Sequence, residues 1–539
     1  MVAYAGGGFF CGVMSFGGVG WAVSEGRRVN IKLRELSYLG PRVKNLRMQT
    51  SDKLRLPRAS VWIIVLGSLL YGLPLARFPQ FSSQEAFFAY QALKASRGGS
   101  LVYAASIHAP NAQQIWAYHG PVLPYLNELL FRLFGFSTLL SRLPDFIGGW
   151  LAALLVVLFL NKKGFRYAGF VFAVLWCGSY TTRLLDLGRM EGLALLVLAL
   201  SFIALDHALA TGKSRSFVIC GIAAGFAVLV NPICVLFAIA DLSLAWLLGA
   251  RKAILLFIAG VVLCGPLLLL MWHFRVRASW QQFRWHTEHL RNHNHKQALL
   301  DFMHLVPNLD KAWVVGLAIF ALVTAFVAIA VVWKRKGDLD LDDRTIVIAT
   351  GLGFAGLVAF CVGPMFPYYL VCFLVWPMLC VSMLAEKYRV RFQMAAVILG
   401  SFWVLSAADS AHQLLNEART YRSFNKQLLY QTVHDNVPAG SVIETTPRYY
   451  GTPLHAGLTR FGLTTWFTED EDACPSCYLL MSEPEFTGVR VLKANVAQRK
   501  ILYDGPAFPT AHVQKYPFVL LSPEVLPSGA FRSDGPPPN

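Results

Sequence analysis

Gln84-Glu85-Ala86-Phe87-Phe88-Ala89-Tyr90 puts a carboxylate just past the first apolar run long enough to cross a bilayer, and His119-Gly120-Pro121 follows one loop later. A carboxylate there is a poor packing group. It reads as chemistry on a substrate that arrives through the membrane. Gln84–Ala95 has helical spacing, with Phe88, Gln91 and Ala95 on one face. Pro121–Phe134 makes a second amphipathic stretch. The 78–140 loop is therefore expected to hold two helices lying at the membrane surface.

Outward from that loop the chain is membrane protein. Of its 539 residues 55% are hydrophobic and 15% charged, with a mean hydropathy of +0.48, whereas soluble domains carry roughly 25% charged residues. Apolar runs near the roughly 20 residues that cross a bilayer recur over 60–77, 141–160, 167–182, 191–209, 216–233, 235–250, 253–272, 313–333, 345–363, 369–385 and 392–408. The pair around Asn231-Pro232 is either two spans or one broken helix.

The net charge of +17 first brings nucleic acid to mind. Its distribution excludes that partner. Residues 409–539 carry 11 Lys+Arg against 13 Asp+Glu, which leaves +19 on the rest. Those cations sit in short loops: Lys162, Lys163 and Arg166; Lys213 and Arg215; Arg251 and Lys252; Lys334, Arg335 and Lys336; Lys387, Arg389 and Arg391. If the spans alternate, these loops share one side, and the positive-inside rule makes it cytoplasmic. The Glu85 loop, the 183–190 turn, the 273–312 loop and everything after Ala408 then face away from the cytoplasm. Six cations in the 273–312 loop run against the rule (Arg275, Arg277, Arg284, Arg291, Lys296 and Lys311), which implies a use for them there.

Residues 1–59 read as a Gly-rich leader with no basic n-region, or as sequence upstream of a start at Met48; a twelfth span is the alternative. After the membrane portion (60–408), residues 409–530 are expected to form a small α/β domain. It would have a helix over 409–434, broken at Pro438-Ala439-Gly440, and strands at Ser441–Thr445, Leu463–Phe467, Tyr478–Met481 and Phe518–Leu521. Residues 531–539 read as a disordered tail. Cys474-Pro475-Ser476-Cys477 lies on the extracytoplasmic side, where a local disulfide is favoured over zinc for want of a second ligand pair.

The candidate site gathers from several loops. Glu85 is the leading base, since desolvation at a membrane surface strengthens a carboxylate as a base; a solvated loop acid is the competing role. Glu85→Gln is expected to abolish activity without lowering membrane abundance. Arg142 stands at the outer end of a span. Arg183, Asp186, Arg189 and Glu191 cluster at the ends of two others, where ionisable groups are costly and are functional or paired. An internal pair of Asp186 with Arg183 or Arg189 is one reading. Glu191, at a predicted helix start, is the second catalytic candidate. Six of the thirteen histidines fall in the 273–312 loop. His286, His289 and His293 could share a helix face, but no acidic second shell accompanies them. No metal is assigned, and a divalent ion stays unsupported. Phosphate binding by Arg284, Arg291 and Lys296 accounts for the interleaved cations; a basic face at lipid headgroups is its competitor. Tyr368 and Tyr369 precede a span interrupted at Pro377.

In order, these pieces resemble the glycosyltransferase C superfamily, in the branch of protein O-mannosyltransferases and lipid A aminoarabinose transferases. That branch shows Asp-Glu-Ala-x-Tyr-Ala where this chain has Gln84 to Tyr90. A Lys/His-Pro/Gly-Pro-Leu element is matched by His119 to Leu123, and Phe-Gly-x-Ser-x-x-x-x-Arg-Leu-Pro by Phe134 to Pro144. Arg189-Met190-Glu191 matches an Arg-x-Asp/Glu pair, and Tyr368-Tyr369-Leu370 to Pro377 a Tyr-Tyr-Leu run. The resemblance covers about 80–380 and not the C-terminal domain. It implies an all-α polytopic bundle of about 11 transmembrane helices, and an inverting transferase that needs no cofactor. The sugar would come from a polyprenyl-phosphate carrier and go to an extracytoplasmic lipid, glycan or protein. The family's first-loop acid acts as base and its basic residues hold the lipid phosphate. Here its leading Asp falls on Gln84, an amide, so either Glu85 takes over or activity is lost. Gln84, His119, Arg142, Arg183, Arg189, Arg284, Arg291, Lys296, Tyr368 and Tyr369 are the substrate-binding candidates that follow. A non-catalytic membrane scaffold and a lipid or sugar transporter are the alternatives; transport is disfavoured by the lack of an internal repeat.

Overall fold

The computed structural model describes residues 52–73, 75, 83–101, 111, 119–179, 182, 185, 188–248, 250, 254–291, 341–362, 369–387, 415, 426–445, 464–467, 476–482, 499–506 and 517–523. Fourteen α-helices are described: α1 (Asp52–Gly72), α2 (Ser83–Ser96), α3 (Val122–Phe134), α4 (Thr138–Lys163), α5 (Arg166–Cys177), α6 (Glu191–Thr211), α7 (Ser214–Val230), α8 (Val235–Leu247), α9 (Ile254–Val262), α10 (Gly265–Met271), α11 (Val276–Arg291), α12 (Leu341–Val362), α13 (Leu370–Lys387) and α14 (Lys426–Asn436). Among the described residues five stretches are long and apolar enough to cross a membrane: α4, α6, Ile254–Met271, Asp343–Phe360 and α13; Leu56–Gly72, α5, α7 and Pro232–Leu247 are shorter apolar helices. The expected spans over 313–333 and 392–408, and the leader up to residue 51, lie outside the described residues.

Sequence patterning accounts for the helix limits. Ser137 is extended and its hydroxyl accepts the Leu140 N–H at 3.2 Å, so α4 starts on a side-chain cap. Both surface helices form as their spacing predicts: Phe88, Gln91 and Ala95 of α2 are all buried, and Leu123, Asn127 and Phe131 line the buried stripe of α3. Phe131 packs on Ala89, Ala92 and Leu93, and Arg132 donates to the Ala95 carbonyl at 3.2 Å. Among the described residues neither polar atom of the Asn127 amide has a partner, although the side chain is fully buried. Burying an unmet amide costs about 1–3 kcal/mol. The near-isosteric Asn127→Leu is accordingly expected to raise the unfolding midpoint in detergent, and an unchanged or lower midpoint would contradict this.

Asn231-Pro232 is a reversal between two apolar helices, α7 and α8. Asn231 caps a short 3-10 turn, Pro232–Cys234, its side-chain oxygen accepting the Ile233 N–H at 3.3 Å. Ser201 of α6 meets both flanking helices at one level: its hydroxyl donates to Asp241 Oδ2 of α8 at 2.6 Å and lies 3.5 Å from Cys220 Sγ of α7. In a continuous helix residues 220 and 241 would be about 30 Å apart. The chain therefore turns back at Asn231. Pro377, expected to interrupt its span, does not: α13 is continuous from Leu370 to Lys387. Close packing holds it there, with Gly353 and Gly356 of α12 against Trp376, Pro377 and Phe373, and neighbouring helices make a proline tolerable within a membrane helix.

The bundle has two chemically distinct ends. At one, Asp206 of α6 pairs with Lys163 at 2.5 Å and with Arg344 at 3.4 Å, and accepts the Thr345 hydroxyl at 3.3 Å. Lys387 pairs with Asp343 beside them, and Glu386 accepts the Ala168 N–H at 2.8 Å. These contacts bring together residues at or next to two of the basic loops singled out in the sequence, 162–166 and 387–391. The opposite end holds the starts of α4, α6 and α13.

The C-terminal strands β1 (Val442–Thr445), β2 (Thr464–Phe467), β3 (Tyr478–Ser482), β4 (Ile501–Pro506) and β5 (Pro517–Leu521) form one mixed sheet of order β2-β1-β3-β5-β4. The pairs β1·β2 and β1·β3 are parallel, β3·β5 and β4·β5 antiparallel. Four strands lie where expected; β4 was not foreseen. Cys477 is disulfide-bonded, and its expected partner Cys474 lies outside the described residues.

Candidate active site

Glu85 and Glu191 are brought to the same end of the bundle, and each is met by an arginine. Glu85, in the first turn of α2, is 1% exposed. Its Oε1 accepts Arg142 Nε at 2.5 Å and its Oε2 accepts Arg142 Nη2 at 2.9 Å, in a pair whose side chains are both fully buried. Arg142 also donates to the Leu75 carbonyl at 3.0 Å. Arg189 is 3% exposed and repeats the fork: its Nε and Nη2 each donate to a Glu191 oxygen at 3.1 Å. Glu191, at the first position of α6, is thus a partner of Arg189, while Arg183 and Asp186, named in the expected pairing, lie outside the described residues.

The two forks are neighbours. Gly188 has a left-handed backbone (φ +59°), and a β-carbon there would lie 3.1 Å from Glu85 Oε1 and 3.3 Å from Arg142 Cγ. Only glycine takes both that conformation and that space without strain. Phe88, one turn on from Glu85, has its ring 5.8 Å from the Arg189 guanidinium and 5.4 Å from the His119 ring. Gly120 fixes His119 against the α7–α8 reversal: a β-carbon there would lie 2.0 Å from the Val230 carbonyl oxygen. Cys372 of α13 points its thiol at the Glu191 carbonyl, 3.5 Å away, and Tyr369 is buried just before it. Glu85, Arg142, Arg189, Glu191, His119 and Tyr369 thus form one rim.

Asp145 belongs to this rim and was not singled out from the sequence. It is 1% exposed, and it accepts the Gly192 N–H at 2.5 Å and the Arg189 N–H at 3.3 Å. The signal was present: an acid three residues after Arg142, inside an apolar span.

The remaining candidates are placed elsewhere or not described. Arg284 is exposed on α11, an amphipathic helix that also exposes Trp280. The side chains of Gln84, His286, His289 and Arg291 are not described, and His293, Lys296 and Tyr368 lie outside the described residues. Among the described residues no group of three His, Cys, Asp or Glu is placed to hold a metal ion. Helix α3 is tied to the start of this loop: Tyr125 Oη donates to the Met271 carbonyl at 3.0 Å and lies 3.2 Å from His273 Nε2. Burial, aided by Glu128, raises the Tyr125 pKa above its ordinary value, so it stays a donor.

No protein-family model and no curated protein sequence matches the chain. Solved structures do. ArnT from Cupriavidus metallidurans bound to undecaprenyl phosphate superposes with a TM-score of 0.52 at 12% identity, over 86% of this chain and 97% of that one. An oligosaccharyltransferase from Archaeoglobus fulgidus in complex with Zn and sulfate follows at TM-score 0.45 and 13% identity, over 80% of this chain and 69% of that one. The arabinosyltransferase EmbB from Mycobacterium smegmatis gives 0.39 and 14%, over 64% and 31%; these two lower values carry no weight here. The first likeness establishes the fold: a helical bundle like that of ArnT, with helices long and apolar enough to cross a membrane.

Proposed function

We propose that this chain is an integral membrane glycosyltransferase that moves a sugar, with inversion, from a polyprenyl-phosphate carrier to an extracytoplasmic acceptor. The observation that carries the reading is the buried double fork, Glu85–Arg142 beside Arg189–Glu191, at one end of a bundle with this fold. The end holding Asp206 and the basic loops faces the cytosol, in a bacterial inner membrane. The rim, the 273–312 loop and the 409–530 domain face outward, with 11 spans over 60–408, the leader over 1–59 and the tail over 531–539.

In the reaction an acceptor oxygen attacks the anomeric carbon and the bond to the carrier phosphate breaks, the electron pair leaving with polyprenyl phosphate. A hydroxyl acceptor gives its proton to Glu85. The Arg142 fork holds the Glu85 carboxylate in a fixed orientation for that transfer. General-base help of this kind is worth about 10²–10⁴-fold. An ionised phosphate acceptor needs no base. Arg142, buried and fully engaged, serves Glu85 rather than the substrate. Arg189, with His119, Tyr369 and the cations of α11 and its continuation, meets the leaving phosphate. Arg183, Arg291, Lys296 and Tyr368 are assigned to the same headgroup, and Gln84 to the acceptor side. Cys474–Cys477 is the disulfide of the outer domain.

A second reading draws on the same pairing. If neither fork opens, the chain is a non-catalytic member that only holds a lipid phosphate, with Gln84 marking the lost acid. Incubating the purified protein with a polyprenyl-phosphate-sugar extract decides between them. Transfer releases free carrier lipid with time and protein concentration. Binding without release supports the scaffold, and neither binding nor release refutes both readings.

A further inference from the structure

Asp145 is the one buried acid of the rim bonded to backbone rather than to a guanidinium among the hydrogen bonds described, and this singles it out. It stands on α4 three residues after Arg142, so one helix face supplies the partner of Glu85 and the acceptor for the 189–192 turn. Met190, at the cap position of α6, makes no side-chain cap. Asp145 supplies from a neighbouring helix the oxygens that a capping Ser, Thr or Asp would supply locally. Both oxygens are used: Oδ1 by Gly192 N–H and Oδ2 by Arg189 N–H. The turn carrying Arg189 is therefore pinned on both sides, by Asp145 and by the left-handed Gly188 lodged against Glu85. The fork to Glu191 and the Phe88 ring then define where the guanidinium lies.

We infer that Asp145 is a positioning residue for anion recognition: by holding the Arg189 and Gly192 amides it sets where the Arg189 guanidinium meets a lipid phosphate. This rests on the functional reading of Arg189 given above. An asparagine at this position has one acceptor oxygen and an NH₂ group that cannot accept. One of the two bonds is lost whichever way the amide faces, and a donor is turned towards a donor.

The test uses full-length protein in detergent with undecaprenyl phosphate as the probe, binding read from intrinsic tryptophan fluorescence, and unfolding midpoints recorded in parallel. Asp145→Asn is expected to weaken binding about 10-fold, equivalent to about 1.4 kcal/mol. Arg189→Gln is expected to weaken it at least as much. Adding Asp145→Asn to Arg189→Gln should change the Kd by less than about two-fold, because residues acting through one group are not additive. A merely structural Asp145 gives a different pattern: a lower midpoint with unchanged Kd, or two losses that multiply in the double variant; either overturns the inference alone. A wild-type protein that does not bind the lipid overturns the functional reading and this inference with it. If Asp145→Asn does not fold, Gly188→Ala, which disturbs the same turn from its other side, carries the same expectation.

Discussion

Glu85→Gln is expected to accumulate poorly in the membrane, while the double variant Glu85→Met/Arg142→Met accumulates near the wild-type level and still transfers no sugar. Removing one partner of a buried ion pair strands the other charge, at a cost of about 3–5 kcal/mol, and here both side chains are fully buried. Replacing both partners by well-packed hydrophobic side chains of similar size is often neutral. The sequence-based expectation of unchanged abundance for the single variant is thereby revised. Fluorescence-detected size-exclusion of tagged protein measures the first quantity and release of carrier lipid the second. Wild-type abundance of the single variant would contradict the pairing. Transfer by the double variant would remove Glu85 from the reaction.

Gly120→Ala is expected to cost stability at or beyond the upper end of the ~1–3 kcal/mol typical of an overpacked core, and to abolish activity. Its β-carbon would fall 2.0 Å from the Val230 carbonyl oxygen and 2.4 Å from that of Leu229. Both obstacles are backbone, so no rotamer change relieves them. Either His119 and Pro121 lift away from the rim or the Asn231 reversal shifts. Gly353→Ala is the control, since the nearest atom to its β-carbon, Trp376 Cβ, lies at an ordinary contact distance of 3.4 Å; inside a helix that exchange should be neutral or gain up to about 1 kcal/mol. Midpoints that fall equally in both variants would contradict the account of Gly120.

Local patterns were legible where one residue's environment is set by its near neighbours. Glu191 opens a helix as its position suggested, Phe88, Gln91 and Ala95 share a buried face, and Pro438-Ala-Gly440 ends α14. What escaped depends on distant partners. Arg142 and Glu85 are 57 residues apart, and nothing in their spacing says that one neutralises the other, so Arg142 was read as a substrate ligand. Gly120 looked like turn punctuation because the obstacle it avoids lies about 110 residues on. Strand β4 was hidden by Asp504-Gly505-Pro506, a turn-like sequence that pairs at the sheet edge with a register shift between Ile501 and Tyr503. Asp145 shows a different failure: the acid was visible, but its role as a cap for another helix was not.

The hairpin that turns at Asn231 has helices of 17 and 13 residues, the second preceded by a three-residue 3-10 turn. At 1.5 Å per α-helical residue and about 2 Å per 3-10 residue, each arm reaches only about 25 Å, against a hydrocarbon thickness near 30 Å. A bilayer meeting this side would have to thin by a few ångströms, unless snorkelling flanks or a neighbouring helix made up the difference. Such thinning would fall where Gly120 abuts the hairpin, at the end of the bundle that carries Arg189.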